Sequence, residues 1–430
     1  MSGHSHTPSR ATHGLRKNIL ALYVVQVLNF ALPLISVPYL VRVLGASSYG
    51  LLALAGALIV YFAAFTDFGF GTAGTRAAAA ARDDPRQLGA LLASVTIVRL
   101  GLMCIALLAL AALLISSPRF AEHAAVYAAS ALTLLGTALF PNWLLQGLEA
   151  MRTLALATVT GRLVAVGLIF ALVHDPEDVA LAAALQSLSL LIALLVVAGP
   201  LIRLVPSQHW KVDRQQIPTL FADSRNAFIC SGAVTLYTSA TTLVLGFFAP
   251  TALVGAFSAA SKIVVAISSM LWAPISQGVY PRLAALLSRR DSVASERLQT
   301  LILRALLPLA ALITLVLWLF AEPLVHIVLG SGMEPAIGVL RVLAPLPALL
   351  ILSNYFGVLV LFAHGEFAAV SRFQVAVAVV SLLWLLPLVQ LGAAEGAAWS
   401  ALITEAVITV GFIYLCRTRG LLAWARTISS

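Results

Sequence analysis

The stretch LGALLASVTIVRLGLMCIALLALAALLI, residues Leu88–Ile115, decides the fold class: it runs 28 residues with a single charge, Arg99. A helix needs about 20 predominantly apolar residues to cross the hydrocarbon of a bilayer. Irregular backbone facing lipid leaves polar groups unpaired, so a block of this length and composition reads as a spanning helix. Working outward, the same pattern recurs at Asn18–Val41, Gly50–Phe70, His123–Leu145, Thr153–Val173, Val179–Leu201, Asn226–Phe248, Leu253–Tyr280, Leu298–Ala321, Ile337–Phe362, Phe367–Leu391 and Gly396–Cys416. Turns marked by proline and charge separate the blocks, as at Asp83, Asp84 and Pro85 or Asp175, Pro176 and Glu177. The whole chain agrees: 61% of its 430 residues are hydrophobic and 10% charged, with a mean hydropathy of +1.00. A soluble domain carries about a quarter charged residues, so the predicted class is an all-α integral membrane protein of about twelve spans.

The ends fit this reading. Met1–Lys17 is polar and basic like the start of a signal peptide, but the apolar block behind it is too long and lacks a small-residue cleavage site, which predicts an uncleaved first span. Cys104, Cys230 and Cys416 all fall within or at the ends of spans, so a disulfide framework is not expected.

The net charge of +9 invites a nucleic-acid reading, and the placement of the charges removes it. With the N-terminus in the cytoplasm, the cytoplasmic segments carry nineteen basic residues, among them Arg76, Arg82, Arg86, Arg152, Arg282, Arg289, Arg290 and Arg297. The opposite loops carry two, Arg42 and Arg119, together with acids such as Glu122, Asp175, Asp178 and Glu334. The positive-inside rule therefore predicts both termini in the cytoplasm, and topology accounts for the basic balance without nucleic acid.

The longest hydrophilic interruption, Arg203–Arg225, falls after six spans and before six more. Its Trp210 and its basic residues suit a segment at the membrane interface. The two halves also share spacing. Gly50 is followed 26 residues on by Arg76, then by Arg82 and Arg99; Gly255 is followed 27 residues on by Arg282, then by Arg289 and Arg304. The fourth spans end in Gln146, Gly147, Leu148 and Glu149 in one half and His364, Gly365 and Glu366 in the other. Six spans per half give a parallel repeat, an arrangement in which transporters hold substrate between the halves near mid-membrane. The expected organisation is a cytoplasmic tail over 1–17, an N-lobe over 18–202, an interfacial linker over 203–225, a C-lobe over 226–416 and a second cytoplasmic tail over 417–430.

Charge at depth is costly, about 2.5–3.5 kcal/mol or more at the bilayer centre, so ionisable residues inside spans are site candidates. Lys262 falls near the middle of the eighth span, with Ser258, Ser261, Ser268 and Ser269 around it suggesting a watery cavity. Arg99, Arg162, Arg304 and Arg372 fall nearer the cytoplasmic side, where they either line a cationic cavity or extend to headgroups. A cavity lined by Lys262, Arg99, Arg162 and Arg304 would receive an anionic group, arginine by forked hydrogen bonds and lysine as a point charge. Glu405, deep in the twelfth span, either pairs with Lys262 or carries a coupling proton; Asp67 is a second candidate for ion coupling. Locally, Asp67 is expected to pair with Arg76, and Glu149 with Arg152. Pro33 and Pro38 interrupt the first span and suggest a gate or hinge. The run Gly69, Gly71, Gly74 matches a dinucleotide-binding spacing, but it follows a membrane span rather than a strand and reads as a turn. The histidines form no ligand pair, so neither a metal nor another cofactor is expected.

Several short motifs carry a family resemblance. Residues Pro38–Gly45 (PYLVRVLG), Tyr49 with Gly50, Phe65–Phe70 (FTDFGF), Gly74–Arg76 (GTR) and Trp143–Glu149 (WLLQGLE) resemble the Wzx-type polysaccharide repeat-unit flippases. These belong to the polysaccharide transport family of the multidrug/oligosaccharidyl-lipid/polysaccharide exporter superfamily. The resemblance implies two parallel six-helix lobes forming a V around a central cavity. It implies transport of an undecaprenyl-pyrophosphate-linked oligosaccharide across the bacterial inner membrane, for O-antigen, capsule or exopolysaccharide assembly. Lys262 falls where related flippases carry a cationic cavity residue. The chain lacks the two extra C-terminal spans of the peptidoglycan-precursor flippases, which argues against that cargo. The expected mechanism is alternating access, coupled to a proton or sodium gradient, with the lipid-linked oligosaccharide and membrane lipids as partners and a polysaccharide polymerase and chain-length regulator as further ones. A cation-coupled multidrug antiporter is the alternative; a glycosyltransferase or polymerase would need longer extracytoplasmic loops than this chain has.

Overall fold

The computed structural model describes residues 9–289 and 291–421, apart from the side chains of 9–31, 33, 274, 277 and 292. The described residues form ten runs of helix long and apolar enough to cross a membrane. Two of those runs break sharply inside. Helix α1 (Ser9–Asp67) turns at Gly45, whose φ of 75° favours glycine, and α15 (Phe367–Thr418) turns at Ala393 with a φ of 43°. Each break divides one run into two arms, so the described residues supply twelve arms, in line with the twelve apolar blocks of the sequence. Between α1 and α15 come α2 (Phe70–Ala80), α3 (Pro85–Ser116), the single turn α4 (Pro118–Ala121), α5 (Ala124–Leu139), α6 (Asn142–Gly147), α7 (Met151–Leu172) and α8 (Val179–Leu204). The second half continues with α9 (Ile217–Phe248), α10 (Thr251–Ser288), α11 (Ser292–Leu319), the turn α12 (Ala321–Leu324), α13 (Pro335–Leu343) and α14 (Leu346–Asn354).

Local chemistry sets the helix boundaries. Asp84 caps α3 by accepting from the N–H groups of Arg86 (2.9 Å) and Gln87 (3.2 Å), with Pro85 in the first turn. Asp291 caps α11 through Ala294 at 3.0 Å. Asp178 accepts from the N–H groups of His174 and Asp175, which hold its carboxyl below the usual carboxylate range. Two blocks read as continuous are interrupted. The fourth span breaks at Phe140 and Pro141, and the tenth breaks at Ala344 and Pro345 before ending in a π-helical turn, Tyr355–Phe362. Proline lacks the N–H that would continue each ladder.

Helix surfaces facing outward are apolar: Leu108, Ile115, Leu195, Leu383 and Leu391 are 71–86% exposed. A water-soluble chain would bury such residues; a lipid-facing surface keeps them outside. The interior forms three apolar clusters. One, at the end away from the arginine-rich loops, mixes both halves: Leu44, Tyr49 and Leu52 pack in the same cluster as Val254, Phe257, Leu340 and Leu385. The other two lie toward the arginine-bearing end: one, around Trp143, Leu144 and Val197, also takes in Leu220 from the start of α9, and the other, around Leu359, Val377 and Phe412, stays within the second half. The halves thus share one broad apolar cluster at one end, the sealed end, and at the other they meet through the start of α9, where Phe68 stacks on Phe228 with ring centres 4.5 Å apart.

Glycine makes the seal. A Cβ on Gly50 would lie 1.7 Å from the carbonyl oxygen of Thr251, and one on Gly255 would lie 2.3 Å from that of Ala46. Without a hydrophobic force between helices in lipid, such backbone contact is what association rests on.

The stretch between α8 and α9 is mostly exposed and is held against the first half. Helix α9 already begins at Ile217, and the remaining segment is pinned to α3. The Asp213 N–H donates to Ser94 Oγ at 2.9 Å, and His209 packs so closely on Gly89 that a Cβ there would meet it at 2.4 Å. Leu220 joins the first-half core.

Candidate functional site

A cavity of about 270 Å³ lies in the sealed half of the molecule's depth, between α1, α7, α8 and α10. Helical periodicity supplies its walls. Arg162, Ala165, Val166 and Ile169 lie three or four residues apart on one face of α7, Ser36 and Leu40 are four apart on α1, and Gln186 and Ser189 are three apart on α8. Lys262 comes from α10 in the other half. Two of the cations predicted for a cavity, Arg162 and Lys262, therefore share one. Its lining contains no carboxylate.

Lys262 is exposed to this space, and among the described residues no carboxylate lies within ion-pairing distance of it. Its Nζ stands 5.3 Å from the centre of the Tyr49 ring, a cation–π contact. Tyr49 is fully buried, so the ring is a fixed platform under the ammonium. The serines around Lys262 divide: Ser258 and Ser268 are buried in helix packing, with Ser268 Oγ donating to the Val264 carbonyl at 2.8 Å, rather than lining water.

The other candidates lie elsewhere. Arg99 is buried in the first half, where it donates to the Asp67 carboxylate and to the Thr137 carbonyl (3.4 Å). Asp67 thus pairs with Arg99 and not with Arg76, and Glu149 pairs with Arg82 at 2.8 Å and not with Arg152. In both cases the nearer arginine in sequence is exposed and makes no ion pair among the described residues. Arg304 is exposed on α11 and does not line the cavity; Arg372 is exposed and donates through Nε to the Ala368 carbonyl at 3.2 Å. Glu405 is 6% exposed in the second half, where it accepts from Ser353 Oγ. It lines a separate cavity of about 120 Å³ with Tyr237, Asn354 and Gln374. Pro38 sits in a helical stretch, the non-helical backbone in α1 falls at Gly45, and the side chain of Pro33 lies outside the described residues.

Gln186, Ser189, Ser36 and Tyr49 were not singled out from sequence as site residues. The amide of Gln186, three residues from Ser189 in a largely apolar span, is the sequence signal that marks those two; Ser36 and Tyr49 carry none.

The family described as "Polysaccharide biosynthesis protein" matches residues 15–287. A "Putative O-antigen transporter" of Escherichia coli (strain K12) is 32% identical over 412 residues, 95% of this chain and 98% of that one. Among solved structures, an inward-facing multidrug resistance MATE family transporter of the MOP superfamily superimposes with a TM-score of 0.73 at 15% identity, covering 94% of this chain and 96% of that one. The inward closed conformation of the lipid II flippase MurJ superimposes with a TM-score of 0.66 at 12% identity, covering 93% of this chain and 87% of that one. At these identities the two structures establish a shared fold.

Proposed function

The chain belongs to the polysaccharide biosynthesis protein family, and from that premise we propose that it is a flippase for a lipid-linked oligosaccharide repeat unit. The cargo is an undecaprenyl-pyrophosphate-linked glycan for O-antigen, capsule or exopolysaccharide, moved across the bacterial inner membrane with both protein termini in the cytoplasm. The observation that carries this reading is the acid-free cavity that joins Arg162 of one half to Lys262 of the other.

A cavity of that charge favours an anion. The guanidinium of Arg162 offers paired donors to phosphate oxygens, and Lys262, steadied by Tyr49, offers a compact charge across the gap. Because the two come from opposite halves, a bound diphosphate ties the halves together. Loading is assigned to the arginine-bearing end, where the core around Leu359, Val377 and Phe412 stays within the second half. Alternating access then parts the sealed end while the polyprenyl chain stays in lipid. Arg99 holds Asp67 and so serves the first half's architecture. Glu405, in its own cavity with Ser353, Asn354 and Gln374, is the residue we assign to coupling with a proton or sodium gradient. A polymerase and a chain-length regulator are the expected partners downstream. The fold is shared with multidrug transporters, but a cationic drug needs an acid, and the Lys262 cavity lining has none.

The test replaces Lys262 and Arg162 singly by alanine in cells whose surface glycan depends on this chain. A charge-assisted hydrogen bond contributes about 1.5–3 kcal/mol, so each change should weaken cargo binding roughly ten- to hundredfold. Surface glycan should fall at unchanged protein level, with charge-conserving Lys262→Arg retaining more than Lys262→Ala. Normal glycan in both alanine variants would remove the cavity from the mechanism, and altered drug susceptibility with normal glycan would move the chain to the multidrug branch.

A further inference from the structure

A third cavity, of about 540 Å³, opens on the arginine-bearing end between the last turns of α10 and the first turns of α11. Arg282, Arg289 and Arg297 line it together with Leu286, Leu298 and Leu301. All three arginines are exposed, and among the described residues none has a carboxylate within 4.0 Å. The nearby Asp291 spends its carboxylate on the cap of α11.

The corresponding hairpin of the first half is built differently. There Arg82, the counterpart of Arg289 in the repeated spacing, is neutralised by Glu149 at 2.8 Å. The counterpart of Glu149 in the second half is Glu366, and it is taken by Arg419 at 3.1 Å. The second hairpin, which also carries Asp291 and Glu296, thus keeps three arginines with no carboxylate within 4.0 Å among the described residues, and leucines stand between them in the cavity wall, with Leu301 66% exposed. On α11 the wall runs inward from Arg297 to Leu298 and Leu301, and on α10 Arg282, one turn below Leu286, extends its long side chain outward, an arrangement that matches a molecule anionic at its head and apolar below.

We propose that this cavity is a binding site for an anionic phospholipid of the surrounding leaflet. The phosphodiester sits among Arg282, Arg289 and Arg297, and the proximal acyl segments lie along Leu286, Leu298 and Leu301. The site is separate from the Lys262 cavity, with which it shares no lining residue, and it does not depend on what the chain transports. Occupancy would tie the α10–α11 hairpin to the membrane at the arginine-bearing end.

The experiment uses the full chain, purified in detergent and titrated with phosphatidylglycerol while retained lipid is counted by native mass spectrometry. Phosphatidylcholine and the headgroup alone, glycerophosphoglycerol, are run beside it. The wild type should retain one phosphatidylglycerol, in preference to phosphatidylcholine. A basic residue near a charged lipid surface contributes about a factor of five, so the triple change Arg282→Gln, Arg289→Gln, Arg297→Gln should weaken retention about a hundredfold. A control triple at the same membrane end, Arg203→Gln, Lys211→Gln, Arg214→Gln, should retain the lipid. All six side chains are charged and outside the apolar cores, and thermal unfolding checks that both triples fold. Equal retention by the hairpin triple and the wild type would overturn the site. Equal affinity for phosphatidylcholine would overturn the charge argument. Equal affinity for glycerophosphoglycerol would overturn the lipid and leave a free-anion site.

Discussion

Placing a methyl group at Gly50 should drive the sealed end of the molecule apart. The new Cβ would stand 1.7 Å from Thr251 O, 2.6 Å from Thr251 C and 2.8 Å from Gly255 N. All three are backbone atoms on α10, so no side chain can rotate aside. An ordinary contact is about 3.4–4 Å, and the helices must part by well over an ångström to reach it. Overpacking a tight contact costs about 1–3 kcal/mol, and that cost falls on the sealed state alone. If alternating access exchanges this state for one parted at the same end, the equilibrium should move toward the parted state by roughly five- to hundredfold. Spin labels at Asp83 and Ser288, exposed positions at the arginine-bearing end of the two halves, would read the change as a shorter separation. Gly56→Ala is the matched control on the same helix, because nothing lies within 4 Å of its Cβ; it should leave the distances unchanged and gain about 0.5–1 kcal/mol of stability. An unchanged distance distribution in a fully folded Gly50→Ala protein would refute the claim that this contact holds the end shut.

The Arg99–Asp67 pair should behave as buried ion pairs do. Arg99→Met alone leaves a partly buried carboxylate and should cost about 3–5 kcal/mol, while the double change Arg99→Met, Asp67→Leu should recover most of it; thermal unfolding in detergent gives both values, and no recovery in the double variant would mean the pair holds something beyond itself. Glu405→Gln keeps the partner of Ser353 while removing the charge, so the protein should fold normally and, in proteoliposomes, lose the response of transport to an imposed ion gradient. Persistence of that response would take coupling away from Glu405.

What the sequence disclosed follows from what kind of information each feature needs. Span number is a matter of length and polarity, so twelve crossings are readable even though the chain joins two pairs of spans into continuous runs at Gly45 and Ala393. Depth is readable too, because rise per residue is constant, and Arg162 and Lys262 were marked by depth alone. That they face one cavity depends on how α7 and α10 are rotated about their axes, which no local spacing records. Pairing fails for the same reason. Asp67 finds Arg99 rather than Arg76, 32 residues away on another helix, and Glu149 finds Arg82 rather than its near neighbour Arg152. The serines near Lys262 misled because hydroxyls in membrane helices commonly satisfy themselves on the carbonyl four residues back, as Ser268 does on Val264, and need no water.

The two arginines that break the charge rule explain themselves in the structure. Arg42, one turn before the break at Gly45, and Arg119, in the turn α4, lie at the sealed end, where the positive-inside rule disfavours cations. Arg42 reaches across to the second half and donates to the carbonyl of Ile327, in the π-helical turn Val325–Leu329. Arg119 donates to the carbonyls of Phe247 at 2.7 Å and Ala249 at 3.4 Å, at the C-terminal end of α9. The last carbonyls of a helix have no partner within it and carry the negative end of its dipole, so a guanidinium satisfies both at once. A helix end also supplies an acceptor without adding a carboxylate. Both arginines begin in the first half and end on the second, on the side where the apolar cluster is shared. They are therefore cross-ties of the sealed end, reinforcing the contact between Gly50 and Thr251 from its rim. Because each is a hydrogen bond between the halves, any motion that parts this end must release both, and the charge rule is broken at these two positions by residues whose job lies in closing it.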